Sequence, residues 1–145
     1  VAAAGISSSN RRQVETFIAS EAIAANDLVS LDLSKTDDSD KGLFVVKADT
    51  GTATDSCAVG FALEAATGAG EPIKVTIAGI HVSANVDAAT AAGSRLVAGT
   101  TAGRASVAAD IDEGGSATVA QRPLVAIAAE ADTANVATVF VIKQF

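Results

Sequence analysis

PIKVTIA, residues 72–78, decides the fold. Ile73, Val75 and Ile77 fall on one face of an extended chain, with Lys74 and Thr76 on the other. That is the period-two alternation of a half-buried strand, not the three-to-four spacing of a helix. One glycine later, IHVSA (80–84) continues with the same β-branched bias. Similar short runs lie on either side. Upstream, Val14, Thr16 and Ile18 alternate with Glu15, Phe17 and Ala19, followed by LVSLDL (28–33), LFVVKA (43–48) and AVGFALE (58–64). Downstream come RLVA (95–98), RASVA (104–108), residues 123–129 and VATVFVIK (136–143). Polar, Gly-containing turns separate them, so about nine to ten short strands are expected in an all-β fold, a compact β-barrel or β-sandwich. The best helical competitor, VDAATAAG (86–93), offers two turns at most, and pattern outweighs its alanine propensity.

The 145 residues suit one domain. Alanine accounts for 33 of them, while Val, Ile, Leu and Phe together supply 37, enough for a finely grained core. Seventeen acidic against ten basic side chains give a net charge of −7, which repels phosphate backbones and anionic lipid. No nucleic-acid partner and no membrane partner are expected. No run approaches the roughly 20 apolar residues of a bilayer span, and no leader peptide is expected from the short apolar stretch ahead of Arg11 and Arg12.

Residues 1–13 (VAAAGISSSNRRQ) are small, polar and aperiodic. They are expected to form an extended N-terminal arm, with residues 14–145 as a single barrel-like domain. Within that domain two halves, about 26–80 and 93–144, share an order of hairpin, strand, turn and strand. Val125, Ile127 and Glu130 align with Val59, Phe61 and Glu64, and residues 136–142 align with 73–77.

Chemistry-bearing residues are few. Cys57 and His81 are the only thiol and imidazole, so no disulfide can close within the chain and no Cys/His zinc cluster exists. A nucleophile–base pair would have to be these two, yet His81 sits between Ile80 and Val82 in a strand, and a small buried thiol is the simpler reading. Asp37, Asp38 and Asp40 begin like a calcium loop, but Gly42 stands where a third ligand is needed and the terminal Glu is missing, so SKTDDSDKG (34–42) is a charged hairpin tip. Glu64, Glu71 and Glu130 are carboxylates beside strand ends. A glycosidase pair among them would lack the aromatic platforms that sugars favour. TGAGEP (67–72) opens a strand and lacks the phosphate-cradle lysine. No catalytic residue, cofactor or metal is expected. Partner contact is assigned instead to the arm and the residues just beyond it, Ile6, Arg11, Arg12 and Phe17, where two cations on a flexible segment can dock on an acidic or carbonyl-rich surface.

ASEAIAANDLVSLD, GLFVVKAD, AVGFALEAATGAGEPIKVTIAGI and GSRLVAGTTAGR, in that order over residues 19–104, resemble a family of small tailed-bacteriophage head proteins, the capsid decoration or cement proteins. A G/N-D, V-x-L strand, an A-V-G-x-A-x-E strand and a G-E-P-I/V-x-V strand recur in it. The resemblance implies a β-rich virion structural protein, not an enzyme, often a homotrimer. It would be made in the host bacterial cytoplasm and seated on the outer surface of an expanded head, bridging copies of the major capsid protein. A tail-tube or head-fibre component is the alternative, and a carbohydrate-binding module the more remote one.

Overall fold

A computed structural model describes residues 11–49, 57–108 and 123–145. Among the described residues the chain forms nine strands and no helix: β1 (Arg12–Ala19), β2 (Leu28–Leu31), β3 (Phe44–Lys47), β4 (Ala58–Ala62), β5 (Pro72–Asn85), β6 (Arg95–Ala98), β7 (Ala105–Val107), β8 (Ala126–Ala128) and β9 (Val136–Val141). They make one sheet in the order β1-β3-β2-β4-β5-β9-β8-β6-β7, and β1 also pairs with β5. The first five strands therefore close into a barrel. The other four continue from the C-terminal half of β5 and curl back to it through a parallel bridge between Val86 and Ala105.

The two parts follow the same path. Each contains an antiparallel hairpin, β2–β3 or β6–β7, whose first strand pairs with β4 or β8, which in turn pairs with β5 or β9. β1 pairs antiparallel with the first half of β5, as the second half of β5 does with β9. Turn chemistry repeats too. Ala24 N–H donates to Asp27 Oδ2 at 3.0 Å, and Ala91 N–H donates to Ser94 Oγ at 3.1 Å. Asn26 and Gly93, one residue earlier, both have positive φ, 71° and 84°. Glu64 Oε1 accepts from Lys74 N–H, and Glu130 Oε1 accepts from Thr138 N–H. Strand β5 thus belongs to both parts, its first half matching β9 and its second half matching β1.

Alternation makes β5 able to serve both. Ile73, Val75 and Ile77 are buried in the first barrel with Phe17, Ala19, Val29, Val45 and Ala62. A second cluster, containing Leu96, Ala98, Ala105, Val125, Val139 and Val141, also takes in Leu28 and Phe61. Phe61 therefore points out of the first barrel and into the packing of the second part. At roughly 25 cal/mol per Å2 of apolar surface, such a fully buried ring contributes a few kcal/mol. Close approach sets two glycines: a Cβ on Gly60 would collide with Thr76 O, and one on Gly79 (φ 86°) with the backbone of Arg11 and Arg12.

Several expectations change. Residues 72–78 and 80–84 are one 14-residue strand, because Gly79 bends the chain without ending it. Residues 86–93, where pattern was expected to outweigh alanine propensity, form turns and a bridge and no helix, with Ala89 at φ 67° and Gly93 at 84°, conformations no α-helix accepts. Arg12 and Gln13, expected in the arm, are part of β1 and pair with Gly79 and Ala78, while residues 1–10 of the expected arm lie outside the described residues. Thr76, expected to face solvent with Lys74, is fully buried because the second part covers it.

Candidate functional site

The residues assigned to partner contact separate. Arg11 and Arg12 are exposed at the start of β1, where Arg11 O accepts from Ile80 N–H at 3.2 Å. Phe17 is a correction: only 5% exposed, it packs with Ile73 and Val75 inside the first barrel and contributes to the core instead of a partner surface. Along β1, Phe17 and Ala19 are buried, Ile18 between them is half-buried, and Glu15 and Thr16 are exposed. Ile6 lies outside the described residues.

His81 is held in the seam between the two parts. Its ring stacks on Phe61, with centroids 5.5 Å apart. Nδ1 lies 2.9 Å from Thr76 Oγ1 and Nε2 lies 3.0 Å from Asn26 Oδ1. The network fits a neutral imidazole with Nε2–H donating to Asn26 and the Thr76 hydroxyl donating to Nδ1. Burial, aided by the charge of Arg12, lowers the His81 pKa from 6.5 to about 4. With both nitrogens engaged, His81 joins elements distant in sequence. Cys57 is half-buried just before β4.

Carboxylates at strand ends organise turns. Glu71 accepts from both the backbone N–H and the hydroxyl of Thr67, and those bonds hold its pKa below the ordinary value. Glu130 is lowered likewise by Thr138. Asp32 accepts from the Ser20 hydroxyl at 2.6 Å and from the Ser34 N–H and hydroxyl. Burial alone would raise its pKa, but these bonds and Lys35 bring it down to about 2. At the hairpin tip Asp38 pairs with Lys41 at 2.7 Å, and Asp37 O accepts from the backbone of Asp40 and Lys41. Among the described residues no group of three or more His, Cys, Asp or Glu side chains is placed to hold a metal ion.

Sequence reasoning missed two features. Asp27 receives Asn85 Nδ2–H at 2.8 Å and packs against Gly103, fastening the β2 turn to the second part. The other is a row across the outer face of β5, β9, β8 and β6, in which Ile80 pairs with Phe140, Phe140 with Ile127 and Ile127 with Arg95. Phe140 is 49% exposed and Ile127 37%. The signal was present in VATVFVIK, where an aromatic residue takes the face opposite Val139 and Val141. No protein-family model matches the sequence, and no curated protein matches it either.

Proposed function

We propose that this chain is a virion structural protein, a capsid decoration protein that attaches to the outer surface of an expanded phage head and bridges major capsid subunits. The observation that carries this reading is where the resembling motifs fall in the fold. AVGFALE and GEPIKV supply β4, the start of β5 and the turn between them, where Gly60 approaches Thr76 and Glu64 and Glu71 close the backbone. They are scaffold motifs, and the scaffold carries β1 to the surface with Arg11 and Arg12 at its head. Arg11 and Arg12 meet solvent there, and residues 1–10, which precede them, lie outside the described residues. A ligand that binds only the assembled shell stabilises it by mass action, and many copies multiply a weak single contact.

The test is co-sedimentation with undecorated, expanded capsids. Saturable binding is expected, weakened by deletion of residues 1–10 with the strand circular dichroism retained. The deletion must stop before Arg11, whose carbonyl belongs to the sheet. Failure of the full chain to sediment with capsids would reject the assignment.

A further inference from the structure

The internal repeat singles out one exposed face. In the first barrel the cross-strand row Val14–Thr76–Phe61–Leu28 runs over β1, β5, β4 and β2. Its counterpart in the second part is Ile80–Phe140–Ile127–Arg95. The two rows have opposite fates. Thr76, Phe61 and Leu28 are fully buried, because the second part lies over them. His81 covers Phe61 and Thr76, and Gly103 O, in the β6–β7 turn, accepts from Leu28 N–H at 2.7 Å. Among the described residues Phe140 and Ile127 have no such cover, and they are 49% and 37% exposed.

The elements that would provide that cover recur in the first barrel. Glu15 of β1 occupies the place of His81, since Glu15 pairs with Val75 as His81 pairs with Val139. The β2–β3 loop occupies the place of the β6–β7 turn, since Asp32 N–H donates to Phe44 O as Gly99 N–H donates to Arg104 O. Leu43 therefore stands where Gly103 does. Leu33 and Leu43 in that loop are 52% and 48% exposed, large apolar side chains left in water.

We infer that the Phe140–Ile127 face binds a second copy of this chain head to tail, receiving its β2–β3 loop around Leu43 as the Phe61 row receives the β6–β7 turn within the chain. The contact continues between molecules an interface already built inside one. It is heterologous, so repetition closes a ring or extends a filament. Capsid attachment plays no part in this inference, and the experiment uses the chain alone, so the two readings fail independently.

Light scattering after size exclusion should give a mass that is a multiple of 14.3 kDa at the highest soluble concentration. Phe140→Asp and Leu43→Asp should each reduce it to that of one chain, with strand circular dichroism unchanged. Mixing the two variants is decisive, because Leu43→Asp retains the binding face and Phe140→Asp retains the loop. The mixture should form a capped pair of two chains, which symmetric pairing through Phe140 would not produce. Ile127→Lys, also at an exposed position, provides a second variant of the same face. A monomeric wild type, assembly surviving Phe140→Asp and Ile127→Lys, or a mixture that stays monomeric would each overturn the inference.

Discussion

Between pH 6.5 and 4 an unfolded chain binds a proton at His81 that the folded chain refuses. The folded pKa is the lower one, so the stabilisation is complete above the unfolded value and declines as pH falls through the window. The drop from 6.5 to about 4 corresponds to about 3 kcal/mol of stability lost to acid. The depressed carboxylates Asp32, Glu71 and Glu130 act with the same sign, but their ordinary values of 3.8 and 4.5 put their effect lower on the scale. Urea unfolding measured at intervals from pH 7.5 to 4.5 should show the decline, and His81→Gln should flatten it. A wild-type profile already flat there would show that His81 is not held neutral by the fold. The sequence showed His81 between two apolar neighbours and suggested a structural role. Its partners Asn26 and Phe61, 55 and 20 positions away, came only from the fold.

At the scale of elements, β-branched alternation identified the strands, because inward and outward positions along a strand differ by one residue and need no knowledge of neighbours. Ends were harder. β2 stops at Leu31, short of the expected Leu33, because Asp32 accepts from Ser34 N–H and hydroxyl and turns the chain. β5 runs through Gly79 because that glycine, at positive φ, lets the backbone of Arg11 and Arg12 at the start of the neighbouring strand approach closely. The β2–β3 loop is the clearest case where sequence chemistry sufficed: its carboxylates occupy exposed or partly exposed positions, with Asp38 serving only Lys41. Replacing Asp37, Asp38 and Asp40 with Asn should change monomer stability by less than about 0.5 kcal/mol. Thermal melts with and without calcium should superimpose for wild type and variant alike; a calcium-dependent rise in the wild type would restore the metal-loop reading.

Across the whole molecule, aligned positions divide by what lies on top of them. Phe61→Ala should cost about 3–5 kcal/mol, since the ring fills the seam between the parts and its loss leaves a cavity. The aligned Ile127→Ala should cost less than about 1 kcal/mol in a dilute, monomeric chain, because Ile127 already faces water. Chemical denaturation of both variants tests the asymmetry; equal losses would contradict it. The sequence alone determined the all-β class, the strand-forming runs, the turn chemistry and the similarity of the two halves, because each follows from residues a few positions apart. Only the tertiary structure decided that β5 serves both halves, that Phe17 and Thr76 are buried, and that one cross-strand row is covered while its counterpart is left open. Those outcomes depend on which surface packs over which, and a period-two pattern identifies two faces of a strand without saying what either will meet.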